Sequence, residues 1–408
     1  AACPRPQGQG MARAGLGARP PGPANRDFEM RVIHIVHGKA NPDGHNGISR
    51  VVYHLNRQEK AQGVDSEIWG LVDDVRTHYT HRRDEHVWVE CFPRVRLPFG
   101  RHEIIDRLIA EKDHIDIVHF HMIWFYDKNI IAKALNRAGI PFIITTHGTY
   151  LKPHAMTGRR RLARLLYERA YLNAATEIHA ITHEEAAQLR DYGHRGPTFT
   201  APNGIALEEV PATRRNDVLD ELPRPGMARF IWIGVKRADK NIEALIRAVA
   251  LMRQVLRDQF VVYLLGPNYK NNEAEYEDLA RKLGVAANFR FQGPVYGKDK
   301  YDALESADVH ILPSLSEVFS LAMLDAMACA KPCLVSTGCG YGPWEKDNCF
   351  ISFEPTPQAI ADAIAAMLAR RADWPQMGRN ARKVIERDLN WPAIAHTMIE
   401  NYARIAAR

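Results

Sequence analysis

The sequence predicts an α/β protein of two doubly wound, parallel-sheet, Rossmann-like domains facing a cleft. Three observations predict it. The chain has 408 residues, more than one ordinary hydrophobic core accommodates. Short apolar, β-rich runs alternate with helix-forming stretches from Met30 to about Ile351, the pattern of parallel sheets covered by helices on both faces. The alternation breaks between Pro202-Asn203-Gly204 and Pro223-Arg224-Pro225-Gly226, in a polar, proline-bearing stretch without a clear strand.

Residues 1–29 are rich in Pro, Gly, Ala and Arg and have no apolar period, so they are expected to form a disordered leader. Such a leader is either a basic transit peptide or a stretch ahead of a true start at Met30. The first domain, 30–205, is expected to hold strands near Val32–Val36, Ser66–Leu71, Ile115–His119, Phe142–Thr145, Glu177–Ile181 and Thr198–Ala201. The second, 206–390, repeats the scheme at Phe230–Gly234, Val261–Leu265, Asn288–Phe291, Val309–Leu312 and Cys333–Val335. Residues 391–408 read as a last helix.

Composition narrows the function. Hydrophobic residues are 46% and charged residues 25%, values of a soluble globular protein. No apolar run approaches the roughly 18 residues of a membrane span, and no signal-peptide core is visible. The six cysteines lack metal-binding spacing and are expected to be reduced and mostly buried. A net charge of +6 suits an anionic ligand or a membrane surface and does not point to nucleic acid. The expected location is cytoplasmic, either free or peripheral on the inner face of the membrane.

The densest chemistry lies in Pro313-Ser-Leu-Ser-Glu317-Val-Phe-Ser-Leu-Ala-Met-Leu-Asp325-Ala-Met-Ala-Cys-Ala-Lys-Pro332. A strand, Val309–Leu312, is turned by Pro313. Helix formers run from Ser320 to Cys329, and Pro332 stops them. Glu317 then sits in a loop at the helix mouth. Asp325 lies inside the helix, roughly 8 Å further along its axis. The free amides of Phe319, Ser320 and Leu321 lie between them, an anion cradle. Carboxylate, cradle and carboxylate at that spacing suit a sugar, a diphosphate and a ribose.

The segment resembles the acidic-x7-acidic motif of retaining glycosyltransferases of family 4, which have the GT-B fold. Phe319, Ala326-Met327-Ala328 and Lys331-Pro332 match the usual form. Val318 and Ser320 stand where that family has glycines, and Asp325 where it has a second Glu. Pro202-Asn203-Gly204-Ile205 resembles the tripeptide that closes the family's N-terminal domain. The resemblance covers nearly everything from Met30 onward. It implies an acceptor-side first domain, a nucleotide-sugar-binding second domain, and a final helix that packs back on the first.

Further residues gain roles from the resemblance. Val235-Lys236-Arg237-Ala238-Asp239-Lys240-Asn241 follows the strand Phe230–Gly234 and resembles the family's Gly-Arg-x4-Lys-Asn, whose cations clamp the donor diphosphate. Lys240 keeps the register, Arg237 is the second cation, and Lys236 is a further candidate. Two cations suit a leaving group that gains charge as the glycosyl bond breaks. Gly47 ends the loop Gly44-His45-Asn46-Gly47 ahead of a helix from Ile48 and is expected to let backbone approach a phosphate or acceptor. His147, after Phe142–Thr145, corresponds to a family histidine near the donor sugar and the reacting region. His119 and His121 fall on one face of their strand. With no third ligand in view, they read as cleft or packing residues rather than metal ligands. The loops at Gly266-Pro267 and at Phe291-Gln292-Gly293-Pro294-Val295 correspond to those that line the family's nucleobase pocket, and Gly338-Cys339-Gly340-Tyr341-Gly342-Pro343 to a further donor-side loop. Arg159-Arg160-Arg161-Leu162-Ala163-Arg164-Leu165-Leu166-Tyr167 is basic and amphipathic. It reads either as a dock for anionic lipid or as a surface helix with its apolar side in the core.

The implied function is retaining transfer of a hexosyl group from a nucleotide-diphosphate sugar to a glycan or lipid-linked acceptor, in polysaccharide or glycolipid biosynthesis. Glu317 holds sugar hydroxyls, Lys240, Arg237 and the helix amides hold the diphosphate, Asp325 holds the ribose, and His147 approaches from the other domain. No cofactor and no metal is called for, since no Asp-x-Asp pair ends a strand at the expected cleft. Two other readings stay open: a nucleotide-sugar epimerase of the same architecture, and a nucleotide-sugar-binding protein without catalysis.

Overall fold

The computed structural model describes residues 30–41, 47–73, 79–82, 87–148 and 158–408. The expected leader, the loop Gly44-His45-Asn46, and the side chains of Arg159 and Arg160 lie outside the described residues. The first sheet holds β1 (Arg31–His37), β2 (Asp65–Val72), β3 (Tyr79–Arg82), β4 (Trp88–Pro93), β5 (Ile117–His121), β6 (Phe142–Thr145), β7 (Glu177–Ala180) and β8 (Thr198–Thr200). Their order is β3-β4-β2-β1-β5-β6-β7-β8, parallel except for β3, which runs antiparallel to β4. The second sheet holds β9 (Ala228–Ile233), β10 (Phe260–Leu265), β11 (Phe289–Gln292), β12 (Val309–Leu312), β13 (Cys333–Ser336) and β14 (Phe350–Phe353), all parallel, in the order β11-β10-β9-β12-β13-β14.

Two doubly wound sheets are therefore present, the GT-B arrangement. Every residue of β10, Phe-Val-Val-Tyr-Leu-Leu, is buried, as helices on both faces require. Each sheet reverses its winding once, beside β1 and β5 in the first and beside β9 and β12 in the second. Those reversals leave crevices at the carboxyl ends of the strands. Three strands escaped the sequence pattern: β3, β4 and β14. β4 reads Trp-Val-Glu-Cys-Phe-Pro, where Glu90 and Pro93 mask the apolar run. No disulfide joins any two of the five cysteines among the described residues, and all five are buried. No helix among them is long and apolar enough to cross a membrane.

The last helix, Trp391–Ala406, begins at Asn390, whose side chain accepts from the Ala393 amide at 3.0 Å. It buries Trp391, Ile394, Ala395, Met398, Tyr402 and Ile405, an i, i+3, i+4, i+7 stripe. That stripe packs on Val32, Leu55, Ile117 and Ile143 of the first sheet and its covering helix Gly47–Ala61. The entry is tight: Ile205 N–H donates to Leu389 O at 2.9 Å and Trp391 N–H to Ile205 O at 3.2 Å. A Cβ at Gly204 would lie 2.8 Å from the Trp391 nitrogen, so only glycine fits.

Met398 is fully buried in this seam. Met398→Ala is expected to lower stability by about 2–5 kcal/mol, the usual range for such a core truncation. A urea unfolding series checks it through a lower midpoint.

Candidate functional site

The chain after β9 turns through a short 3-10 stretch, Ala238–Lys240, into Asn241, which adopts a left-handed conformation at φ 60°. The Asn241 amide donates to Pro313 O and Pro355 O, both at 3.0 Å, and Leu315 N–H donates to Asp239 O at 3.0 Å. These bonds lay the β9 loop against the β12 loop. Lys240 and Glu317 meet as a result, with Nζ to Oε1 2.8 Å, and Ser314 Oγ donates to the same oxygen at 2.6 Å. Glu317 N–H donates to Gly338 O at 3.0 Å, which brings in the loop after β13.

Helix Leu321–Ala328 starts at Ser320, whose side chain makes no capping bond, so the side chain leaves the first-turn amides to other partners. Phe319 stacks on Tyr341 with centroids 4.4 Å apart, and Tyr341 O–H donates to Ser320 O at 2.7 Å, which fixes the helix entry. Gly340, at φ 77°, permits close approach. A Cβ there would sit 2.7 Å from Val318 O and 2.6 Å from Thr182 Cγ2 of the first half.

The other expected cations differ from Lys240. Arg237 forms a two-point pair with Asp239, at 3.0 and 2.8 Å, with its side chain 40% exposed. Lys236 is fully buried, and its Nζ is spent on Gly266 O at 2.6 Å, Gln292 O at 2.7 Å and Glu273 at 2.6 Å. The reading of Lys236 as a diphosphate ligand is therefore corrected: it ties the ends of β10 and β11 together. Asp325 is buried. Its Oδ2 pairs with Lys300 Nζ at 2.5 Å and its Oδ1 accepts from Tyr301 O–H at 3.0 Å. It lines a pocket between the halves together with Arg50, His54, Gly204, Leu321 and Trp391. Gly47 opens the facing helix; a Cβ on it would lie 3.5 Å from Leu321 Cδ1, so the two helix mouths abut.

His147 follows β6 in a left-handed conformation, φ 51°, uncommon for a residue with a side chain. Buried Glu185 holds that turn. It accepts from the Thr146 hydroxyl, from Gly148 N–H at 2.6 Å and from Ile181 N–H at 2.6 Å. Burial raises the Glu185 carboxyl, and these three bonds oppose the rise. The sequence signal for Glu185 was present in Thr182-His-Glu-Glu185, the capping-box spacing, and Thr182 Oγ1 accepts from Glu185 N–H at 3.1 Å. Lys128 had no such signal. It is fully buried, donates to the backbone oxygens of His121 and Met122, and burial lowers it to about 7.

His147 Nε2 lies 3.1 Å from His121 Nδ1. A third histidine does join His119 and His121, contrary to the sequence reading: ligand atoms of His34, His119 and His121 all lie within 4.8 Å of one another. All six ring nitrogens nevertheless have protein partners. His34 uses His121 and Glu59, His121 uses His34 and His147, and His119 uses Tyr402 and Thr145. The rings of His119 and His121 lie against each other, centroids 4.1 Å apart, rather than converging on one point. A metal would have to displace these bonds. Burial, with neighbouring imidazoles and Lys128, drives His147 to about 3, and burial drives His179 to about 4 and His119 and His121 well below 6.5.

Leu162, Leu165 and Leu166 are 56%, 81% and 70% exposed. The reading that put the apolar side of this segment in the core is thus overturned.

The family described as Glycosyltransferase Family 4 matches residues 45–209, and Glycosyl transferases group 1 matches residues 220–384. A D-inositol 3-phosphate glycosyltransferase of Nocardiopsis dassonvillei is 30% identical over 273 residues, 64% of this chain and 60% of its own length. The chain thus spans about three fifths of that relative. Sucrose-phosphate synthase of Thermosynechococcus elongatus superposes with TM-score 0.70 at 19% identity, over 93% of this chain and 99% of its own. HepE of Anabaena, solved with UDP and glucose, superposes with TM-score 0.68 at 15% identity, over 92% and 100%.

The lowered histidines carry a pH signature. Unfolded, each imidazole takes up a proton below about 6.5; folded, His119, His121, His147 and His179 do not. The unfolded state binds more protons there, so stability is expected to fall as pH drops from about 6.5 towards 5. Urea midpoints measured across that range check the sign.

Proposed function

Because the chain belongs to the group 1 and family 4 glycosyltransferases, we propose that it transfers a hexosyl group from a nucleotide-diphosphate sugar with retention of configuration. The observation that carries this reading is the 2.8 Å pair between Lys240 and Glu317, set beside the mouth of helix Leu321–Ala328 at a winding reversal. An ammonium and first-turn amides suit a diphosphate, and the adjacent carboxylate suits the hydroxyls of the sugar attached to it. A bound diphosphate draws Lys240 from Glu317 and frees the carboxylate for sugar. Arg237 turns from Asp239 to the same phosphates. Asp325, shared with Lys300 and Tyr301, takes the ribose, and the loops after β10 and β11 face the base. His147 reaches the reacting region from the first half. Closure of the halves excludes water and limits donor hydrolysis.

The acceptor we propose is a glycan or a lipid-linked glycan. The exposed Leu162, Leu165 and Leu166, beside Arg161 and Arg169, support peripheral contact with anionic lipid. Charge on the departing diphosphate is met by cations and amides, so we propose that no metal takes part. Activity is expected to survive excess chelator, and full loss restored by Mg²⁺ or Mn²⁺ would end that part of the reading.

Paired measurements test the core of the proposal. Lys240→Ala is expected to weaken binding of a nucleoside diphosphate by about 1.5–3 kcal/mol in calorimetry. Glu317→Gln is expected to leave that affinity nearly intact while turnover falls on the order of a hundredfold. Equal loss of nucleotide affinity in both variants would overturn the separation of diphosphate and sugar. An altered nucleotide sugar released without an acceptor would identify an epimerase.

A further inference from the structure

One unbroken line of hydrogen bonds runs beneath the first sheet's covering helices. From the cleft it passes His147 Nε2 to His121 Nδ1 at 3.1 Å, His121 Nε2 to His34 Nδ1 at 2.9 Å, and His34 Nε2 to Glu59 Oε2 at 2.7 Å. It continues from Glu59 Oε1 to the Tyr402 hydroxyl at 3.1 Å and on to His119 Nδ1 at 2.8 Å. His119 Nε2 then meets Thr145 Oγ1 at 2.6 Å, Thr145 meets His179 Nδ1 at 2.7 Å, and His179 Nε2 meets Ala201 O at 2.8 Å. One branch enters at Glu59, whose Oε2 accepts from Ser66 Oγ at 2.5 Å, itself an acceptor from Asn56.

Counting hydrogens orders the links toward the cleft. Glu59 Oε2 accepts from Ser66 Oγ, and His34 Nε2 meets the same oxygen. A carboxylate oxygen accepts, and a neutral imidazole carries one N–H. His34 therefore donates from Nε2, His121 donates from Nε2 to His34, and His147 donates from Nε2 to His121.

We propose that Glu59, His34 and His121 are positioning residues that hold His147 in its Nε2–H form, so that its Nδ1 is a hydrogen-bond acceptor. His147 would then accept from a sugar or acceptor hydroxyl rather than donate to it. The inference rests on the reading of His147 as a group at the reacting region. It assigns a task to a buried carboxylate contributed by a helix.

The test is made on the full chain labelled with ¹⁵N-histidine. Two-bond ¹H–¹⁵N correlation distinguishes the two neutral tautomers and the imidazolium, and His147→Gln and His121→Gln assign the signals. Nε2–H forms of His147, His121 and His34 are expected. An Nδ1–H or doubly protonated His147 would overturn the proposal, as would a stoichiometric transition metal in the purified protein. Glu59→Gln places an amide N–H₂ toward Tyr402 and an oxygen toward His34, and is expected to keep the His147 tautomer. Glu59→Leu is expected to lose it, with kcat down about tenfold to a hundredfold and the donor KM little changed. Equal behaviour of the Gln and Leu variants in both readouts would count against the proposal. His121→Asn cuts the line nearer the cleft without touching Glu59, so a Glu59→Leu chain that fails to fold does not end the test. A wild-type chain that transfers no sugar would end the functional reading alone, while the tautomer measurement still decides this one.

Discussion

The seating of helix Trp391–Ala406 on the first sheet is the constraint on which the rest depends. The helix leaves the second half at Asn390, and its apolar stripe is buried against β1, β5, β6 and the helix Gly47–Ala61. That contact ties the two sheets to each other, and with them the two strand-end edges that carry the candidate site residues. It also carries Tyr402 to a point between Glu59 and His119. Arg404 adds a two-point pair to Glu177 of β7, both bonds at 2.9 Å. A chain segment remote in sequence thus completes the polar layer beneath His147. Apolar burial supplies the stability of the seam, and the polar bonds supply its register, because a buried polar group without its partner is costly.

Much of this was legible in the sequence, and the limits have physical causes. The parallel strands announce themselves because burial on both faces makes them continuous apolar runs, as in Phe260–Leu265. Strand ends follow directly, and the family resemblance of the two loops that leave them assigned Lys240 and Glu317 to one site before any contact was known. β4 was hidden by Glu90 and Pro93. Lys236 was misread because spacing gives the loop but not the direction of the side chain, which turns inward to three partners. Glu59, Lys300, Tyr301 and Tyr402 gave no sequence signal at all. Each sits on a helix whose pattern records only which face is buried, and each meets its partner through tertiary packing. Glu185 is intermediate: its capping-box spacing marked a helix start, while its grip on the His147 turn needed the fold.

The charges at the two edges follow one rule. On the second sheet every charged candidate ligand carries a partner of its own: Lys240 with Glu317, Arg237 with Asp239, and Asp325 with Lys300. A partly buried ion without a partner costs several kcal/mol, so a site built for a charged ligand gains by neutralising itself between ligands. The exchange is asymmetric. On the proposed reading a diphosphate would offer Lys240 more negative charge than one carboxylate does, whereas the displaced Glu317 would keep the Ser314 hydroxyl, now at 2.6 Å, and meet the neutral hydroxyls of the sugar. On the first sheet the solution is the opposite. There the polar groups are histidines kept neutral by burial, and their order is set by hydrogen counting rather than by ion pairs. On the proposed reading a charged edge suited to the anion thus faces an edge of neutral histidines. That division suits a reaction in which charge accumulates on the leaving group while the opposite side must orient a hydroxyl without competing for the anion.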